Sequence, residues 1–163
     1  IDIDGNDYWI LKKINLNADI IVAEYNPIFG DIYKISIPYD KNFIRNKKHF
    51  SNLFFGCSIN ALIDLMGKKN YVFLGTNSQG MNAFFINRNK FTYLEGKISH
   101  TNIFPPMIRE GRNTDGKLNF QSLNENFKFI SDFEVYDIDS KKNKKLSNYE
   151  NLYSEKWKKV FSL

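Results

Sequence analysis

The sequence predicts an α/β fold in which parallel strands are followed by an antiparallel C-terminal hairpin. Residues 20–23 form a continuous apolar run, which is typical of a strand covered on both faces in a parallel sheet. Residues 1–3 have the pattern of the end of another buried strand, and a polar turn and a helix follow them. Residues 71–74 and 83–86 predict two further strands, and their short connection makes them antiparallel neighbours.

Three helices are predicted from capping residues and apolar spacing. Asp7 is suited to the N-cap of the first helix, because its carboxylate can accept the free N–H groups of the first turn. Ser58 precedes a second helix with apolar residues at i, i+3, i+4 and i+7, and Gly67 suits its end. Ser147, followed three residues later by Glu150, forms a capping box that predicts a last helix.

The composition favours one folded domain without a nucleic-acid or membrane partner. The net charge of +5 on 163 residues lies in residues 140–163, where seven Lys and two Glu occur. The remainder is neutral, and no interleaved basic and aromatic platform accompanies this tail. No run has the length of a membrane span or the pattern of a signal peptide. The single Cys57 excludes a disulfide framework and favours a cytoplasmic location.

The organisation of the chain follows from where these patterns change. We expect residues 1–91 to form the main α/β unit and residues 92–163 to form an α+β extension packed on the same domain, with a short helix near 123–130 and a short strand at 133–136. Residues 28–51 have little periodicity, which predicts a lid or a binding loop. The chain begins with Ile inside a predicted buried strand, so we also expect it to be the later part of a longer polypeptide.

Acidic and amide side chains follow both predicted parallel strands. Asp2 and Asp4 lie at the end of the first strand, and Glu24 and Asn26 end the second. Ligands of open α/β sheets bind beyond the carboxyl ends of the strands, so these groups are expected around one crevice. The alternative is a solvated turn that caps a helix.

Two segments carry a resemblance to a known family. Residues 1–8, Ile-Asp-Ile-Asp-Gly-Asn-Asp-Tyr, resemble the fourth-strand motif of FkbM-type methyltransferases (roughly Ile-Asp-Val-Glu-Gly-Ala-Glu), and residues 21–25, Ile-Val-Ala-Glu-Tyr, resemble their fifth strand. The resemblance covers residues 1–90. It implies the C-terminal half of a Rossmann-like class I methyltransferase that uses S-adenosylmethionine. The glycine-rich first loop of that fold is absent from this sequence, which implies a cofactor site in a missing first half.

The resemblance also implies roles for single residues. By analogy with the family, the acceptor would be a sugar or glycan precursor that is O-methylated, as in polysaccharide biosynthesis. Asp4 and Glu24 are the candidate catalytic groups, as a base or beside a metal, because a carboxylate can take the proton of a sugar hydroxyl. Tyr8, Tyr25 and Asn26 would then shape the acceptor pocket.

A second similarity concerns a metal. In catechol and caffeoyl-CoA O-methyltransferases the fourth strand ends in an Asp ligand and the fifth in an acidic residue next to Asn. Aligned with that pattern, the ligands are Asp2, Glu24 and Asn26, although Asn26 stands one residue late. Oxygen ligands of this kind suit Mg²⁺.

Further candidates lie outside the two strands. His49 is a second candidate base in the predicted lid, although a His in a basic loop is more often an exposed passenger, and His100 is a weaker candidate. Asn82 lies at a strand end where it could reach a ligand. Two arginines, Arg109 and Arg112, could hold a phosphate or carboxylate of the acceptor. Their internal pairing with Glu110 and Asp115 is the favoured alternative.

Two other functions compete with the methyltransferase. One is a non-catalytic Rossmann-like module that has lost its cofactor half and serves in binding or assembly. The other is a nucleotide-dependent oxidoreductase, against which stands the lack of a G-x-G-x-x-G motif.

Overall fold

The computed structural model describes residues 1–97 and 102–163. Within these ranges the helices are α1 (Asp7–Lys13), α2 (Arg45–Lys48), α3 (Ile59–Lys68), α4 (Arg88–Phe91), α5 (Leu123–Ile130) and α6 (Glu155–Phe161). The strands are β1 (Ile20–Glu24), β2 (Ile35–Ser36), β3 (Tyr71–Thr76), β4 (Asn82–Asn87), β5 (Glu134–Asp137) and β6 (Lys142–Lys145). None of the helices in the described ranges has the length and apolar character needed to cross a bilayer.

The first sheet has the strand order β1-β4-β3. The central strand β4 is antiparallel to both neighbours, and the expected hairpin between the strands near 71–74 and 83–86 is the pair β3 and β4. Asn77 closes the turn of this hairpin, because its side-chain oxygen accepts hydrogen bonds from the N–H groups of Met81 and Asn82, each at 3.1 Å. In the register of β1 and β4, Glu24 lies opposite Asn82. This pairing fixes the neighbours of the Glu24 side chain.

The predicted parallel, Rossmann-like sheet is wrong. Every pairing between the strands named above is antiparallel, including that of β1. The apolar run at residues 20–23 suggested burial on both faces, but burial alternates along β1. Ile20 is 56% exposed, whereas Ile21 and Ala23 are buried. Such alternation is typical of an antiparallel sheet with one solvated face, and composition alone does not distinguish the two cases.

Residues 1–3 do not form a strand of either sheet, but they lie against the free edge of β1. The amino group of Ile1 donates to the carbonyl of Val22, and the N–H of Glu24 donates to the carbonyl of Ile1 at 3.2 Å. The N-terminal segment is therefore held beside the end of β1, and the acidic residues that follow Ile1 are held there with it.

Asp7 stabilises the turn before α1 and does not cap the helix. Its carboxylate accepts hydrogen bonds from the N–H groups of Ile3 and Gly5, both at 3.0 Å. Asn6 is the N-cap residue, and its side chain makes no capping hydrogen bond. The predicted capping role was wrong because the preceding turn, and not the first turn of α1, supplies the donors nearest to this carboxylate.

The second sheet, with order β2-β5-β6, joins the two predicted parts of the chain. Strand β2 comes from the expected lid and pairs with β5 from the extension. The first part of the expected lid belongs to the core, since Phe29, Ile35 and Ile37 are fully buried in a cluster with Ile130 of α5. Most of residues 39–50 are exposed.

The last helix begins later than predicted. Ser147 lies in a 3₁₀ turn, and α6 is capped by Ser154, whose hydroxyl accepts the N–H of Trp157 at 3.3 Å. Asp31 holds Ser154 in place through two hydrogen bonds of 2.8 and 2.6 Å. The true cap depends on a residue more than a hundred positions away, so the local capping-box pattern at Ser147 was misleading. A complete capping box occurs instead at α5.

Candidate acid–base site around Arg45

The centre of the candidate site is Arg45, the first residue of α2. Its side chain is only 9% exposed, and its guanidinium carbon lies 3.6 Å from the centre of the Phe55 ring. The Nε donates to the carbonyl of Asn52 at 2.8 Å. Stacking and hydrogen bonding therefore fix the plane of the guanidinium and direct its remaining N–H groups toward the end of β1.

Three carboxylates from distant parts of the chain surround this cation. The Nη1 atom of Arg45 lies 2.7 Å from Asp4, 3.6 Å from Glu110 and 3.8 Å from Glu24. Asp4 and Glu110 are largely exposed, whereas the Glu24 side chain is 12% exposed. The guanidinium of Arg45 is therefore a buried cation. The exposed Asp4 and Glu110 neutralise it from the solvent side, and Glu24 is the single acid on its interior side.

Burial is the main cause of the unusual acidity of Glu24. It raises the pKa of this carboxyl to about 8, and the negative charges of Asp2, Asp4 and Asp7 act in the same direction. Arg45 opposes the shift but does not cancel it. Among the described residues no donor makes a hydrogen bond to the buried Oε2 of Glu24. A carboxyl of this pKa can both hold and release a proton near neutral pH, as a general acid or base must.

Two cavities lie on either side of Arg45. One of about 370 Å³ is bordered by Asp4, Phe43 and Asn52. The other, of about 170 Å³, is bordered by Glu24, Asn82 and Arg109, and we call it the Glu24 cavity. Arg45 and Glu110 border both. The structure therefore brings the predicted site residues Asp4, Glu24, Asn82 and Arg109 to one region of the surface.

The three predicted acceptor-pocket residues lie elsewhere. Tyr8 is buried in the core, where desolvation raises the pKa of its hydroxyl to about 12. Tyr25 is fully buried against Trp157, and burial raises its pKa further. None of the three borders either cavity. Tyr8 belongs to the buried face of α1, and Tyr25 and Asn26 follow β1 into the core.

Asn26 has a structural role. Its amide nitrogen donates to the carbonyls of Leu53 and Phe55 at 2.8 and 3.0 Å, and its oxygen accepts the N–H of Ile28 at 3.0 Å. These bonds tie the end of β1 to the loop that carries Phe55, on which Arg45 stacks. Asn26 thus holds the loop that carries Phe55 against the end of β1. Its amide nitrogen and its amide oxygen are both engaged in these hydrogen bonds.

The two remaining predicted groups, His49 and Arg112, do not border either cavity. His49 contacts the Ser51 hydroxyl at 2.7 Å and the Phe133 ring, and burial lowers its pKa. Arg112 has a buried Nη1 without a hydrogen-bond partner in the described part of the chain. The expected internal pairing of the arginines is also wrong, because Glu110 pairs with Arg45 and Asp115 with Lys117. His100 lies outside the described residues.

The predicted metal ligands are only partly brought together. Carboxylate oxygens of Asp2, Asp4 and Glu24 lie within 4.8 Å of one another, whereas Asn26 is engaged with the backbone. A fixed guanidinium already lies 2.7 Å from Asp4. A divalent cation beside it would repel that charge in a partly buried setting. The residues present therefore fit an arginine–carboxylate cluster better than Mg²⁺.

The described residues also provide no cradle for S-adenosylmethionine. The glycine nearest to the carboxylates is Gly5, and a Cβ atom there would lie 2.2 Å from the Phe43 ring. That glycine permits close packing of the turn against Phe43.

Arg45 and Glu110 are the site residues that sequence reasoning missed. Arg45 stands in a basic stretch with Lys47 and Lys48, and the residues of such stretches are usually exposed. The only local signal is that Arg45 begins a helical turn after a run rich in aromatic and turn residues, and this does not reveal its acidic partners. Those partners are 41 and 65 positions away in sequence, as the numbering of Asp4 and Glu110 shows.

No family model, curated protein or solved structure matches this chain.

Proposed function

We propose that this chain carries the acceptor site of an S-adenosylmethionine-dependent O-methyltransferase whose acceptor is a sugar or glycan precursor. The Glu24 cavity would hold the acceptor hydroxyl, and Glu24 would be the general base. The proposal concerns the acceptor site alone.

The observation that carries the proposal is the state of Glu24. Its carboxyl is mostly buried, borders a cavity and has a pKa raised to about 8, and its buried Oε2 makes no hydrogen bond within the described part of the chain. A structural carboxylate is normally paired so that its charge is stabilised, whereas a base needs a proton affinity near the working pH. Arg45, 3.8 Å away, would stabilise the carboxylate after the proton has left.

The lining of the cavity supports a hydroxyl-rich acceptor. Asn82 and Gln79 border the cavity with amide groups, and Arg109 adds a guanidinium. Amides both donate and accept hydrogen bonds, which suits the vicinal hydroxyls of a sugar. Met81 and Met107 provide the apolar surface against which a sugar ring can pack.

In this proposal S-adenosylmethionine would be held outside the Glu24 cavity and would supply an electrophilic methyl group. The chain orients the acceptor hydroxyl within reach of Glu24, whose carboxylate takes the hydroxyl proton as the oxygen acts as nucleophile. Arg45 keeps the carboxylate in place, and Asp4 and Glu110 prevent the guanidinium from forming a closer pair with Glu24.

The test uses the full-length product of the gene. It is titrated with S-adenosylmethionine and S-adenosylhomocysteine in a calorimeter, and methyl-labelled cofactor is incubated with a panel of monosaccharides and a cellular glycan fraction. We expect binding heat and label transfer that increases with pH to a plateau above about pH 8, where Glu24 is ionised. Glu24→Gln should lower transfer by roughly 100-fold or more.

Glu95→Gln is the matched control, because Glu95 is exposed and borders neither cavity. It should transfer label at the wild-type rate. Absence of heat with both cofactor forms would refute the methyltransferase proposal and favour the non-catalytic binding module.

A further inference from the structure

We propose that the acceptor is an amphiphile in which the sugar is joined, through an anionic group such as a phosphate, to an apolar alkyl or prenyl chain. The inference rests on the proposed function for the position of the sugar. The apolar chain would occupy a second depression, which we call the Phe120 groove.

The Phe120 groove shares lining residues with the Glu24 cavity. It has a volume of about 400 Å³ and is bordered by Leu118, Phe120 and the residues Met107, Ile108 and Arg109. These last three also border the Glu24 cavity. One ligand that passes over residues 107–109 can therefore contact both depressions.

The groove is apolar and its apolar side chains are exposed. Phe120 is 75% exposed, and Met107 and Leu118 are also exposed. Neighbouring large apolar groups of this kind are uncommon on a protein surface unless something binds to them. Among the residues that the structure describes, none that borders the groove is acidic, and Arg109 is the charged one.

The exposed position of Phe120 is imposed by the backbone around it. Phe120 has a left-handed φ of 48°, which is rare for an aromatic residue. The N–H of Asn119 donates to the carbonyl of Gly111 at 3.0 Å, and the Asn126 side chain donates to the carbonyl of Gln121 at 3.0 Å. Both neighbours of Phe120 are thus held, and its ring is presented to solvent in a strained conformation. Strain of this kind is typical of ligand-contacting positions.

Arg109 supplies the charge complementarity between the two depressions. Among the described residues no carboxylate lies within ion-pairing distance of its guanidinium, and its polar side-chain contact is the Met107 sulfur at 3.8 Å. Arg45, in contrast, lies near three carboxylates. An arginine without an internal partner at the junction is suited to a phosphate or carboxylate.

The order of these features determines the class of ligand. A polar cavity with a base is followed by a cation and then by an apolar groove, which matches a sugar, an anionic link and an apolar chain in that order. A free sugar would leave the groove uncovered, and an uncharged glycoside would form no ion pair with the exposed Arg109.

The test measures binding of n-dodecyl phosphate, below its micelle concentration, to the purified protein by calorimetry. We expect Phe120→Asn and Arg109→Gln each to weaken binding at least tenfold. Asn adopts a left-handed conformation readily, so Phe120→Asn should retain the fold. Tyr93→Ala and Arg88→Gln are matched controls, because Tyr93 is 76% exposed and Arg88 is also exposed, both outside the groove. Both should bind like wild type.

Two further ligands test separately whether the apolar chain and the anionic group are needed for binding. Inorganic phosphate and n-dodecyl maltoside should each bind at least tenfold more weakly than n-dodecyl phosphate, since each lacks one of the two features. Equal binding of the maltoside, or wild-type binding by the Phe120 and Arg109 variants, would overturn the inference. Glu24→Gln should bind n-dodecyl phosphate normally, so failure of methyl transfer and failure of this inference give different results.

Discussion

The wild-type protein should become less stable as the pH rises, because of Glu24. Replacing Glu24 with glutamine should abolish this dependence on pH. The pKa of Glu24 is raised in the folded state from an ordinary value of 4.5 to about 8. Between these two values the folded protein holds a proton that the unfolded chain has released. The free energy of unfolding therefore falls with increasing pH across this window and levels off above pH 8.

The size of the effect follows from the shift. Each pH unit corresponds to about 1.4 kcal/mol, so a shift of 3.5 units, from 4.5 to about 8, makes a difference of about 5 kcal/mol. Glutamine is neutral at every pH and has nearly the same shape. We expect the two proteins to have similar stability near pH 4.5 and the Glu24→Gln variant to be more stable by several kcal/mol at pH 8.5.

The measurement is urea unfolding of both proteins between pH 4.5 and 9, followed by the fluorescence of Trp9 and Trp157. Subtracting the two curves removes the contributions of all other titrating groups. The exposed Glu95→Gln variant should follow the wild-type curve at a constant offset. A difference between wild type and Glu24→Gln that stays constant over the whole range would show that Glu24 is not the perturbed acid that we infer.

Three further substitutions test the surroundings of the site by urea unfolding. Arg45→Met replaces the stacking on Phe55 with an apolar contact and leaves the carboxylates without their cation, so we expect a loss of about 3 kcal/mol at pH 8.5 that shrinks at low pH; an equal loss at both pH values would contradict this. Asn26→Ala leaves two buried carbonyls without a donor, and about 3 kcal/mol should be lost; a loss below 1 kcal/mol would mean that these bonds contribute little. Tyr25→Phe removes a buried hydroxyl that has no partner among the described residues, so stability should rise by about 1 kcal/mol, and a clear fall would show that the hydroxyl is in fact hydrogen-bonded.

Much of the local structure follows from short-range patterns. The hairpin of β3 and β4, the cap of α3 by Ser58 and the helix of α5 each depend on residues a few positions apart. Turn chemistry and helix capping act over one turn of chain, so a single sequence contains the information.

The candidate site could be found only in part. The expectation that Asp4 and Glu24 lie together was made on the assumption of parallel strands, and the structure brings them together by a different route. Ile1 is bonded to the edge of β1, and the Asp7 carboxylate folds the turn between them. Both acids lie near Arg45. This residue belongs to the segment 28–51, whose lack of periodicity predicted a lid or a binding loop.

The sequence by itself determined where most of the helices and strands lie, and that acidic side chains follow two of the chain's apolar segments. The tertiary structure alone decided the antiparallel direction of β1, the burial of Asn26 and Tyr25, and the arrangement of three acids around Arg45. The physical reason is the distance along the chain over which each interaction acts. Capping and turn formation are local, whereas strand direction, desolvation and the pKa of Glu24 depend on which distant residues pack together, and that information is spread over the whole chain.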